Sequence, residues 1–180
     1  MIHESRYWKV PLLRSATWLE KIRVSEEEPE VALARAEREV FIGCYAIRKL
    51  LETFKLSPST RRFFVDLKSF DAIDGAHVDY FNKYDIDEHY NMESPRMEQR
   101  NIGLVCNQII HSFVFVIGTA ENRSLEGFFV TSDAMRHKKL FFLSLGSLTS
   151  MFRMVGRDYP QQQKLVRNSA DQWEDASDAP

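Results

Sequence analysis

The residues with the clearest chemical potential lie in the stretch Asn107-Gln108-Ile109-Ile110-His111-Ser112. On a helix, Asn107 and His111 are four residues apart, so they share one face, one turn from each other. A neutral imidazole can take or give a proton near pH 7, and a neighbouring amide can orient a phosphate or a ribose hydroxyl. Arg100 is the candidate guanidinium to assist them. The plainer alternative is a histidine that ends a helix, bonded to backbone and placed to favour the negative end of the dipole.

The Asn107-x-x-x-His111 spacing resembles the second part of the Arg-Asn-x-x-x-His motif of HEPN-type ribonucleases, over six residues. The resemblance implies a small metal-independent ribonuclease or toxin-like RNA-cleaving protein, with His111 as acid/base and Asn107 and Arg100 assisting. The chain departs from the motif at Cys106, which stands where the family has its arginine and cannot steady the charge of a phosphorane. Arg100-Asn101 offers the right start, yet no histidine follows at the expected distance. The family is all-helical, whereas this chain carries several strand patterns.

Three other groups of residues merit the same question. Asp71, Asp74, His77, Asp79, Asp85, Asp87, Glu88 and His89 combine carboxylates with imidazoles, the donor set of a hard or borderline divalent ion, and would suit a metal-dependent hydrolase. Their spacing matches no defined metal loop, and a solvated acidic connection is the favoured reading. Arg136, His137, Lys138 and Lys139, with Arg153 and Arg157, could grip phosphates if they converged. Charged turns also discourage edge pairing of strands, so nucleic acid is not favoured. Glu37 and Arg48 flank an apolar helical stripe; they could be a buried polar pair serving a site, and are read instead as pointing to water.

The elements that would position these residues divide into helices first and strands later. Leu12, Ala16, Leu19 and Ile22 predict a helix over 11–23, with Pro11 at its first position. Ser25 and Glu28 read as a reciprocal cap for a second helix reaching about 54, along which Leu33, Ala36, Val40, Cys44, Ile47, Leu51 and Phe54 form one stripe. The short acidic turn between them predicts an antiparallel pair. Residues 62–70 alternate as a strand, Asp74-Gly75 marks a turn, and 76–81 is expected to return as a hairpin. Ser94-Pro95 predicts the start of a helix running to about 110. Strands at 112–119, 128–131 and 140–143, linked by polar turns, predict a β-meander. Leu148, Met151, Phe152 and Val155 share a last helical face that Gly156 is expected to stop.

Grouped helices followed by grouped strands predict an α+β fold. It is expected to be a single domain over 1–159: a mostly antiparallel sheet of three to five strands, with the meander near 112–145, packed against the N-terminal helical pair and two further helices. Residues 160–180 read as a polar, acidic, mobile tail in which Trp173 is a candidate docking residue. At 180 residues and 44% hydrophobic the chain can bury a core without metal or disulfide staples. The net charge of −2 advertises neither nucleic acid nor an anionic membrane, although 57–93 is acidic and 94–167 basic. No glycine-rich phosphate cradle, CxxC, HExxH, EF-hand loop or GxSxG elbow is present. Cys44 and Cys106 read as small buried thiols of a reduced, cytoplasmic protein, and no run is long or apolar enough to span a bilayer.

Phe41 and Tyr45 widen the apolar face of the second helix beyond what one partner needs. The expected function is therefore a non-enzymatic interaction or regulatory module, a homo-oligomer or a protein docked on a partner, with no cofactor and no metal. RNA cleavage through His111 is the alternative, and metal-dependent hydrolysis through 71–89 the third.

Overall fold

The computed structural model describes residues 2–160, 164–171 and 173–175. The first helix, α1 (Arg6–Lys21), begins earlier than its periodicity suggests. Glu4 Oε1 accepts from the Arg6 N–H at 3.0 Å, doing the work of a cap, so Pro11 falls inside the helix on its exposed side rather than at its start. The second, α2 (Pro29–Glu52), has Pro29 in its first turn. Ser25 Oγ accepts from the N–H groups of Glu27 and Glu28 just upstream, but Glu28 does not reach back to complete a reciprocal cap. A single turn, α3 (Pro58–Arg61), capped by Ser57, leads into strand β1 (Phe64–Asp71), in which Val65 and Leu67 are buried while Phe64 and Asp66 are exposed.

The expected hairpin over 76–81 is not formed. Both edges of β1 are occupied, one by β2 (Arg96–Asn101) and the other by β5 (Lys139–Ser144), so the returning chain has no strand to pair with. Residues 72–95 instead run irregularly through the short α4 (Ile86–His89), closed on themselves by one bridge, Ala72 to Tyr90, and tied to the end of β1 by the Asn91 N–H donating to the Asp71 carbonyl at 2.9 Å. The expected helix over 95–110 is also corrected: it is half strand. Asn101 leaves the helical region at ψ 142°, and its Oδ1 accepts from the Gly103 N–H at 2.9 Å. That side-chain cap starts α5 (Ile102–Ile110) seven residues after Pro95. The strand before it holds its register through Gln99 donating to Asp66 and Ser69 donating to Glu98.

The meander forms as expected, from β3 (Ser112–Thr119), β4 (Leu125–Ser132) and β5. The five strands lie in the order β2-β1-β5-β4-β3, antiparallel throughout, and make the architecture α+β. The last helix, α6 (Leu145–Arg157), continues through Gly156 to an Asp158 C-cap. Gly156 is a packing residue, not a stop: a Cβ there would lie 2.6 Å from Leu13 of α1. The N-terminal helices do not form an isolated pair, since α1 packs most extensively on α6 and α2 on α5.

Each face of the sheet has its own cover. Val65, Leu67, Phe128, Val130, Phe141 and Leu143 join the buried side chains of the long helices in the main core. On the opposite face Phe70, Val114 and Leu140 are sealed by Val78 and Tyr90 from the irregular segment. Of the expected tail, Leu165–Arg167 (β6) pairs with Trp173–Asp175 (β7), and Arg167 lies over the Trp173 ring. The Gln161-Gln162-Gln163 run, residue 172 and residues 176–180 lie outside the described residues.

Candidate functional site

His111 is the C-cap residue of α5, and its N–H donates to the Asn107 carbonyl at 3.0 Å. The residue is exposed, and its ring has no hydrogen-bonding partner among the described residues. Asn107 turns toward α2, where its Oδ1 accepts from Arg48 Nη1. Arg48 also donates through Nε to Glu52 at 2.9 Å. Hydrogen bonds from Lys49 and Arg48 hold the Glu52 carboxyl below its ordinary value. Helix spacing thus puts an imidazole one turn from an amide that is already bonded to a guanidinium. Arg48, read as pointing to water rather than serving a site, is instead bonded to Asn107; Cys106 is buried beside Cys44, both of them free thiols. Glu37 is exposed and takes no part.

Arg100 stands elsewhere. The β1–β2 register puts Glu98 and Arg100 opposite Leu67 and Val65, hence on the helix-facing side of the sheet. Glu98 accepts from Ser69 at 2.7 Å and is ion-paired with both Arg100 and Lys139. Burial works against its ionisation, yet the bonds from Lys139, Ser69 and Arg100 outweigh it and hold the carboxyl at about 2. Beside this cluster, between α5 and the sheet, is a cavity of about 110 Å³. Its floor is Leu67, Val105, Val130, Phe141 and Leu143, all buried; its rim is Arg100, Leu104, Gln108 and Met135. Asn107 and His111 do not line it.

The acidic segment does not converge. Among the described residues no three His, Cys, Asp or Glu side chains gather in a way that could hold a metal ion. Asp79 instead accepts from the N–H groups of Phe81 and Asn82, Asn82 accepts from the Asp79 N–H and donates to the His77 carbonyl, and the buried His89 ring meets the Asn82 carbonyl at 3.2 Å. Asp71 pairs with Arg96. Asp71, Asp74, Asp87 and Glu93 border a wide, open hollow. The basic positions are dispersed as well. Lys139 is bound to Glu98, Arg153 is forked on Glu20, and Arg136 pairs with Asp133 while lying 4.2 Å over the Phe113 ring.

Sequence reasoning missed one feature. Tyr80, Phe81 and Tyr84 are 70%, 92% and 63% exposed, on the loop that Asp79 and Asn82 pin by hydrogen bonds. The Tyr80 and Phe81 rings meet edge-on at 5.8 Å, and Lys83 Nζ lies 4.6 Å over Tyr80 and 5.1 Å over Tyr84. The available signal was three aromatics within five residues, broken by Asn82 and Lys83 in a rhythm that fits neither strand nor helix. Of the two residues that widen α2, Phe41 packs against Phe115 of β3 at 4.9 Å, whereas Tyr45 is exposed, as is Ile42.

No known protein family, curated protein or solved structure matches the chain. No helix among the described residues is long and apolar enough to cross a membrane.

Proposed function

We propose that the chain is a non-enzymatic interaction module that docks on a protein partner through the aromatic loop at 79–85. The observation that supports this reading is the conjunction of exposure with order: three large rings face solvent on a backbone held by its own side chains. Aromatic side chains bury much area at low entropic cost and dominate interface energetics, and a pinned loop has little ordering left to lose on binding. In sequence the rings stand between Asp79 and Asp85, with Asp74 and Asp87 beyond them, so the proposed complementary surface carries basic residues around an apolar pocket. A second copy of the chain is the other occupant to be tested. Sedimentation velocity over a concentration range and cross-linking with mass spectrometry, each on wild type and Phe81→Ala, decide the matter. Association that Phe81→Ala weakens at least about tenfold supports the reading; a strict monomer whose cross-links never involve residues 80–84 defeats it.

A second reading, RNA cleavage at His111, is favoured by the Arg48–Asn107 hydrogen bond. In it His111 takes the proton of a ribose 2′-hydroxyl as that oxygen bonds to phosphorus, Arg48 faces the developing charge, and the P–O5′ bond breaks to leave a 2′,3′-cyclic phosphate while the departing 5′-oxygen takes a proton from water. Incubation with RNA beside His111→Ala and Arg48→Gln tests it: cleavage lost in both folded variants supports it, and cleavage absent in wild type or kept in His111→Ala refutes it.

A further inference from the structure

We infer that the cavity between α5 and the sheet is a binding site for a small monocarboxylate with a compact apolar tail. Its size sets the tail. A protein cavity of about 150 Å³ lined by apolar side chains accepts benzene, so about 110 Å³ suits an aliphatic body of about four or five carbons. Its floor sets the tail's chemistry, since buried side chains such as Leu67, Val130 and Leu143 offer no polar atom.

The rim sets the head group. Gln108 spends its amide oxygen on the Ser132 N–H at 3.0 Å, which leaves the NH₂ group to donate. Arg100 uses one Nη on Glu98 and carries further N–H groups, none of which can accept. The polar side chains of the rim are therefore donors, and their complement is an acceptor. Charge makes the acceptor anionic. Glu98, Arg100 and Lys139 form one linked cluster of one carboxylate and two cations, a net positive charge, and the half-exposed Arg100 is the member of it that lines the cavity. A guanidinium already oriented by a carboxylate is a preorganised partner for a second carboxylate. The inference is independent of the docking loop, which lies in the segment covering the opposite face of the sheet.

Three probes of like shape separate head-group recognition from simple filling of a void: isovalerate, isopentanol and isopentylammonium, titrated into the full chain and followed by amide chemical shifts. Isovalerate is expected to shift Val105, Gln108 and Val130 in a saturable way at millimolar concentration, isopentanol to do so more weakly, and isopentylammonium not at all. Arg100→Gln should weaken isovalerate about tenfold and leave isopentanol unchanged. Leu104→Trp, at an exposed rim position that tolerates a larger side chain, should weaken both. Equal binding of the anion and the cation overturns the proposal, as do an undiminished isovalerate affinity in Arg100→Gln and the absence of any shift with isovalerate.

Discussion

Two charges drawn in from solvent, the buried Lys9 and the partly buried Glu98, hold this molecule together by opposite arrangements. Glu98 is surrounded by donors, and at about 2 its folded pKa lies below the ordinary 4.5. The unfolded chain therefore binds the extra proton first, so the stability Glu98 provides is complete above pH 4.5 and is lost as pH falls toward 2. The difference corresponds to about 3 kcal/mol. Urea unfolding between pH 7 and pH 2 should show that acid loss in wild type, and Glu98→Gln should flatten it while lowering stability at neutral pH. Lys9 is the opposite case, a cation among acceptors. Its Nζ donates to the Lys55 carbonyl at 2.6 Å and to that of Asp158, and lies 4.6 Å over the Tyr159 ring; burial pushes its pKa down, with Asp158 countering. The ammonium thus ties α1 to the chain just past α2 and α6. Lys9→Met keeps the stem and removes the donors, leaving two carbonyls short of partners, and should cost about 2–4 kcal/mol in chemical denaturation. Neither role was legible in the sequence, because Ser69 and Lys139, which join Arg100 on Glu98, and both carbonyls that receive Lys9 come from distant parts of the chain. Asn107 and His111 could be placed on one helix from spacing alone, but Arg48 sits 59 residues from Asn107 and no local pattern links them.

At the scale of elements, periodicity identified what packing rewards and missed what side-chain caps decide. The stripe of α2 and the apolar runs of β3, β4 and β5 were legible because their burial pattern is written into adjacent residues. The strand β2 was not, because its helix-facing side carries Arg96, Glu98 and Arg100 where an apolar alternation would be expected, and Glu98 is satisfied by Ser69 and Lys139 on other strands. Glycine shows the same division. Gly43 of α2 and Gly146 of α6 look alike in the sequence, yet a Cβ at Gly43 would press into the buried Phe152 ring, while at Gly146 its nearest neighbour is 3.9 Å away. Gly43→Ala should therefore destabilise by about 1–3 kcal/mol through overpacking between α2 and α6. Gly146→Ala should be neutral or stabilise by up to about 1 kcal/mol, since alanine restricts the unfolded chain and favours the helix. Thermal unfolding of the two variants side by side checks the contrast, and equal effects would contradict the close approach of the two helices.

For the molecule as a whole, the asymmetry of its two layers matters more than the strand count. One face of the sheet is sealed by four helices that interlock with one another. The other is sealed by a segment with one short helical turn and one internal bridge, anchored by Val78, Tyr90 and the 2.6 Å bond from the Tyr90 hydroxyl to the Arg136 carbonyl. Regions with few buried apolar contacts and little regular hydrogen bonding open at a lower free energy than the global transition. The irregular cover should therefore detach as a unit while the sheet and helices stay folded. Native-state hydrogen exchange should show the amides of Tyr90 and Asn91, which bond to Ile86 and Asp71, exchanging well before those of Phe129 and Phe141 in the central strands. Tyr90→Phe should widen that gap without shifting the slowest amides, because it removes a bond of the cover alone. Uniform protection across all four positions would mean that the loop folds as part of the main core. A partner bound at Tyr80, Phe81 and Tyr84 would then gain nothing by holding the cover closed, whereas in the layered molecule it must slow exchange there first.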